Sequence, residues 1–147
     1  MKAKGVKCSG LQDVLDVMGK RGNKKEENFW SILLDGANQV ISVQHITKGL
    51  VNRCPVHSRE VFYPAVRHYA SAIIVCHNHP SGDAKPSRED DEITERLYKA
   101  AELLGFSFLD HVILAKGGGF YSYRQEGKLS GAEEDSHVSI ANINVGF

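Results

Sequence analysis

The segment Ala72-Ile73-Ile74-Val75-Cys76 constrains this chain more than any other. An unbroken apolar run has no polar face to turn toward water, so it fits a central strand covered on both sides. Such a strand needs partners beside it and helices over it, which points to a layered α/β domain. The flanking sequence supplies both. Phe29–Leu34 (FWSILL) reads as a strand, Asp35-Gly36-Ala37-Asn38 as a turn and Val40-Ile41-Ser42-Val43 as a second strand, so residues 28–48 form an expected β-hairpin. Ser58 can cap a helix over 59–70, with Val61, Ala65, Val66 and Tyr69 on one face. A longer helix is expected over 88–104, with Ile93, Leu97, Ala100, Ala101 and Leu104 inward and Gly105 at its end. Phe106–Leu114 and Phe120–Tyr123 read as strands around Gly117-Gly118-Gly119, a hairpin loop rather than an anion nest.

At the start, Leu11, Val14, Leu15 and Met18 recur at helical spacing, so residues 9–19 read as a short amphipathic helix with Ser9 as N-cap. Gly19, Gly22 and the Lys/Asn run after them read as a linker. The expected organisation is a basic helix and linker over 1–25, a domain over 26–127 and a tail over 128–147. In that tail Gly131–Ser136 is polar and acidic, while Val138–Phe147 is apolar enough to pair or dock.

A length of 147 residues suits one domain with a real core. Lys plus Arg (18) balance Asp plus Glu (18), which removes any global electrostatic argument for nucleic acid or an anionic membrane. Residues 1–25 carry seven basic residues against two acids, read as a solvated arm that at most touches phosphates. Cys8, Cys54 and Cys76 are far apart and form no Cys-x-x-Cys pair, so neither a disulfide framework nor a thiolate zinc knuckle is expected. A reduced, cytoplasmic setting fits. The basic start lacks a following apolar stretch, and no run approaches membrane-spanning length.

The chemistry concentrates in His77-Asn78-His79-Pro80-Ser81-Gly82-Asp83-Ala84-Lys85-Pro86-Ser87-Arg88-Glu89-Asp90, which leaves the central strand and enters a helix. In open α/β sheets, ligands gather at that end of the strands. His77 and His79 point to the same side in extended backbone, and Pro80 biases His79 toward that geometry. Two imidazoles so placed can converge on one ion, and a carboxylate at the start of the next helix can complete the set. Ser87-x-x-Asp90 by itself reads more simply as a helix capping box. On this strand–loop–helix, however, two histidines and one carboxylate would leave a zinc position open, the catalytic rather than the structural arrangement. The adjacent letters His-Asn-His do not make an HNH nuclease, whose residues are spread over a ββα unit. His45, His57, His68 and His137 show no ligand-like spacing.

The string His-x-His, seven residues, Ser, two residues, Asp resembles the JAMM motif of the JAB1/MPN metalloprotease superfamily. HNHPSGDAKPSRED, LLDGANQVI, REVF and LLGFSFLDHVIL resemble its bacterial RadC-like branch, over residues 26–127. The resemblance implies a cytidine-deaminase-like α/β fold with a central mixed sheet flanked by helices, a zinc ion (Zn2+), and hydrolysis of peptide or isopeptide bonds. By the same resemblance His77, His79 and Asp90 are the metal ligands, Ser87 steadies the tetrahedral intermediate, and Glu27 is the general base. Sequence logic alone leaves Glu26 and Glu60 open as bases. Asp110-His111 matches the family's strand and reads either as support for the site or as a buried hydrogen-bonded pair.

Peptide or protein substrates are therefore expected. RadC-like proteins commonly carry a helix-hairpin-helix region, for which 25 residues are too few, so DNA contact is expected to be weak or absent. A non-catalytic binding module for DNA-processing partners is the alternative. Deamination is disfavoured, because the chain lacks the Pro-Cys-x-x-Cys segment of zinc deaminases.

Overall fold

Hydrophobic patterning builds a sheet with a helical layer on each side. The computed structural model describes residues 3–49 and 56–129. Its strands are β1 (Asn28–Leu34), β2 (Val40–Lys48), β3 (Ala72–His79), β4 (Ser107–Ala115) and β5 (Phe120–Ser122), in sheet order β2-β1-β3-β4-β5. β3 pairs antiparallel with β1 and parallel with β4, so the sheet is mixed. The helices are α1 (Leu11–Met18), α2 (Ser58–Arg67) and α3 (Arg88–Leu104). This is the expected α/β architecture of a central mixed sheet flanked by helices.

Alternation along the strands divides the core in two. On one face Phe29, Leu33, Ile73, Val75 and Ile113 pack under Val61, Phe62 and Ala65 of α2 and Ile93, Leu97 and Ala101 of α3. On the other, Trp30, Ile32, Leu34, Ile74, Cys76 and Val112 pack under Val14, Val17 and Met18 of α1. Burying a side chain of this size is worth about 1.5–3 kcal/mol. Three of them on α1 outweigh the charge of the surrounding lysines. The amphipathic helix expected over 9–19 is present as α1, and the stretch expected as a solvated arm and linker is packed structure, with the Gly5 amide already donating to the Val40 carbonyl. A 3-10 turn at Gly19–Asn23 continues it, and there a Cβ on Gly22 would sit 3.0 Å from the Leu114 Cβ. Glycine at 22 is what lets this turn lie against β4.

Four helical details differ from the sequence reading. Ser58 does not cap α2, because His57 holds that N-cap position and Ser58 is the first helical residue. Ser9 does not cap α1. Gly10 holds the N-cap position, and the Asp13 carboxylate accepts from the Ser9 amide at 3.0 Å. Helix α2 stops at Arg67 rather than 70, because Tyr69 turns left-handed (φ 55°) to return the chain to β3. Val66 and Tyr69 consequently lie exposed, and Phe62 takes the inward place instead. On α3 the inward face holds Thr94 and Tyr98, while Leu104 is exposed where Gly105 ends the helix in the left-handed region. Cys8 and Cys76 are buried free thiols. Residues 130–147 and Cys54 lie outside the described residues.

Candidate metal centre

β3 does not end with its apolar run but continues through His79, so His77 and His79 leave the same side of the strand. The chain then turns at Gly82, where φ is 89° and glycine is favoured. The loop closes on its own strand: the His79 Nδ1 lies 2.9 Å from the Asp83 carbonyl, and a carbonyl only accepts, so Nδ1 carries the proton. In the neutral ring that leaves the His79 Nε2 as a bare lone pair. The loop also delivers the start of α3, where the capping box expected from Ser87-x-x-Asp90 is present. Ser87 Oγ accepts from the Asp90 amide at 3.1 Å, and an Asp90 oxygen accepts from the Ser87 amide at 2.8 Å.

The capping box does not compete with a ligand role for Asp90; it aims the carboxylate at the two histidines. The Asp90 carboxylate lies 3.2 Å from the His77 Nε2 through one oxygen and 3.2 Å from the His79 Nε2 through the other. The two Nε2 atoms are 2.9 Å apart. His77, His79 and Asp90 thus form a cluster whose ligand atoms all lie within 4.8 Å of one another and could hold a metal ion. Bonds of 2.0–2.1 Å in a tetrahedron would space the ligand atoms about 3.3 Å apart, so the donor set fits zinc in size as well as in chemistry. Lone pairs this close repel unless a proton or a metal ion sits among them.

The surroundings set the charges. Burial opposes ionisation of Asp90, but the contacts from His77, His79 and the Ser87 amide outweigh it and hold the carboxyl far below the usual range. Burial likewise pushes the His79 imidazole down, yet Asp90, the Asp83 carbonyl and the charge of Glu27 together raise it above its ordinary value. Phe29 lies almost parallel to the His77 ring, with centroids 5.9 Å apart and planes within 10°.

Glu27 is half-buried at the entry to β1, and its charge acts on His79. The neighbouring Glu26 instead pairs with Lys48 at 3.6 Å, beside a groove of about 390 Å³ lined by Lys24, Lys25, Trp30 and His45. Glu60 is exposed on α2. Ser87 is exposed, so its hydroxyl proton is not buried by the cap.

Three supporting residues were not singled out from the sequence. Asn78, fully buried between the histidines, turns to the opposite face. There its side-chain oxygen accepts from the Asn28 amide at 2.7 Å, and its nitrogen donates to the Glu26 carbonyl at 2.9 Å. These bonds bracket Glu27 on both sides. Alternation next to a paired His-x-His was the available signal: a polar residue sent into the opposite core must find partners. Phe29 and Thr94 gave no such signal. His111, left undecided by the sequence, is buried with its Nε2 2.8 Å from the His77 Nδ1. Its neighbour Asp110 faces away and accepts from the Ser122 hydroxyl and the amides of His111 and Arg124.

A mixed α/β sheet with two histidines and a helix-borne carboxylate at a strand end defines a JAB-type domain whose JAMM-like residue group could hold a metal ion. A family model described as a RadC-like JAB domain matches residues 8–128, and the chain belongs to that family. The match takes in α1 and the 3-10 turn, which pack against the sheet. The chain is 50% identical over 109 residues to a UPF0758 protein of Trichlorobacter lovleyi, covering 74% of this chain and 46% of the relative. A UPF0758 protein of Symbiobacterium thermophilum is 49% identical over 105 residues, 71% of this chain and 44% of the relative. One of Clostridium kluyveri is 41% identical over 122 residues, 83% and 53% of the two chains. The chain therefore spans about half the length of the curated relatives it matches.

Proposed function

We propose that this domain is a zinc-dependent hydrolase of peptide or isopeptide bonds, held together by His77, His79 and Asp90. The observation that carries the reading is the convergence of two imidazole rings and a carboxylate, with ligand atoms within 4.8 Å, at a strand end. Two histidines and one carboxylate make a ligand set with room for a further ligand, as catalytic zinc sites have. When bound, zinc would supply a Lewis acid that acidifies water and polarises a carbonyl.

The chain's own residues supply the rest. Glu27, which touches the site's electrostatics without belonging to the ligand set, accepts a proton from the attacking water and returns it to the leaving nitrogen. The Ser87 Oγ accepts from the Asp90 amide, so its hydroxyl proton is available to the developing oxyanion. A donor of that kind is worth about 2.7–4 kcal/mol. Asn78 holds the Glu26–Asn28 backbone to β3 and so limits where Glu27 can stand.

Elemental analysis of protein purified without chelators tests the metal, with about one zinc per chain expected. Digestion of a peptide and isopeptide library by the zinc-loaded chain tests the chemistry. Glu27→Gln should bind zinc normally and lose about 10²–10⁴-fold in rate. A chain that stays metal-free when zinc is offered ends the proposal. A zinc-loaded chain that cleaves nothing in the library leaves a metal-stabilised binding module in its place.

A further inference from the structure

We infer that Thr94 and His111 form a directional hydrogen-bond relay that fixes the His77 tautomer and so presents the His77 Nε2 lone pair to the metal. The inference rests on the metal reading above and concerns how that site is kept ready. Imidazole has two ring nitrogens, of which one carries a proton in the neutral form. Whichever group meets Nδ1 decides whether Nε2 can bind a metal. For His79 that group is a carbonyl, and the answer is immediate. For His77 it is another imidazole, the Nε2 of His111 at 2.8 Å, which can donate or accept.

The ambiguity is resolved one residue further on. The His111 Nδ1 lies 2.6 Å from the Thr94 hydroxyl oxygen, and that hydroxyl lies 2.7 Å from the Asp90 carbonyl. The carbonyl can only accept, so when it takes the Thr94 proton, Thr94 has only lone pairs to offer His111. His111 must then carry its proton on Nδ1 and offer a bare Nε2 to His77. His77 in turn protonates Nδ1 and leaves Nε2 free. Every member is buried: His77, His111, Thr94 and Asp90 are all less than 5% exposed, so no water is needed to close the relay. Tyr123 lies against the His111 ring, with centroids 4.9 Å apart and planes within 13°, and its hydroxyl is tied to Asp91 at 2.7 Å. The ring therefore has little freedom to flip.

The relay ends on the backbone of Asp90, the residue whose side chain completes the ligand set. Metal ligand and tautomer control thus share one turn of α3. If the Thr94 proton turned to His111 instead, the whole relay would reverse. His77 would then aim an N–H at Asp90 and close the site to metal. Thr94 and His111 are positioning residues: neither belongs to the ligand cluster.

Ring-nitrogen NMR of the zinc-loaded full chain tests the relay without any variant. We expect His111 protonated on Nδ1 and bare on Nε2, and His77 protonated on Nδ1. A His111 protonated on Nε2 overturns the inference. Zinc affinity by chelator competition gives the second readout. Thr94→Val keeps the shape but removes the acceptor, and should weaken zinc binding by about 10–100-fold. Thr94→Ser restores the hydroxyl and should recover wild-type affinity. Wild-type affinity in Thr94→Val, or no recovery in Thr94→Ser, also overturns the inference. Wild-type protein that binds no zinc at all refutes the metal reading itself, a result distinct from either.

Discussion

Replacing Asp90 by alanine removes two functions that the structure places on one side chain. One oxygen accepts from the Ser87 amide at 2.8 Å, half of the capping box on α3, and both oxygens face the imidazoles at 3.2 Å. Ser87→Ala removes the other half of the cap and leaves the ligand cluster intact. Losing a cap costs about 0.5–2 kcal/mol. For a domain of this size 1 kcal/mol moves the melting temperature by about 3–4 °C. Both variants should therefore melt roughly 2–8 °C lower without zinc. Zinc separates them. At a free concentration 100 times its Kd, a ligand that binds only the folded state adds about 2.7 kcal/mol, or about 8–11 °C here. Wild type and Ser87→Ala should show that full shift, while Asp90→Ala should show almost none. The assay is a reversible thermal melt by circular dichroism, with chelator and with buffered zinc. A zinc shift that survives Asp90→Ala refutes the ligand assignment. A shift lost in Ser87→Ala refutes the division of labour between cap and ligand.

The protonation pattern predicts a pH dependence with a definite sign. His79 is raised, so its contribution to zinc-free stability is full below the ordinary imidazole value of about 6.5 and fades as pH rises through the raised value. Asp90 is depressed, so its contribution is present above about pH 4 and lost only as pH falls through its low value. Zinc-free melts should thus show this pair's support greatest between about pH 4 and 6.5. Zinc affinity should fall over the same range as pH drops, since the metal must displace the His79 proton. Affinity that does not change across that range would contradict the raised His79. Asn78→Ala should speed hydrogen exchange at the Asn28 amide, whose acceptor it removes, while zinc binding persists. Unchanged exchange would show that Asn78 does not hold the segment. DNA binding should be weak at physiological salt and collapse as salt rises. Nanomolar binding measured by anisotropy, surviving replacement of Lys4, Lys7, Lys20, Lys24 and Lys25 by alanine, would show the partner to be misread.

What the sequence determined by itself is what neighbours within a turn or two decide. The bounds of α3, the Ser87–Asp90 cap and the common side of His77 and His79 all follow from local backbone rules, and each is present. The apolar run at 72–76 dictated a covered central strand for the same reason: side-chain alternation leaves it no wet face. Tertiary structure decided where distant elements meet. Register between β1 and β3 puts Asn78 against residues 24–28, fifty positions away, and with it the charge of Glu27 where it acts on His79. The pairing of β3 with β4 sets His111 against His77 across a sequence gap of 34, and α3 brings Thr94 to close the relay. Packing also overruled charge at α1, because the apolar area under one helix outweighs a few solvated lysines. Local composition announces none of these contacts, since each depends on two separate segments being buried against the same sheet.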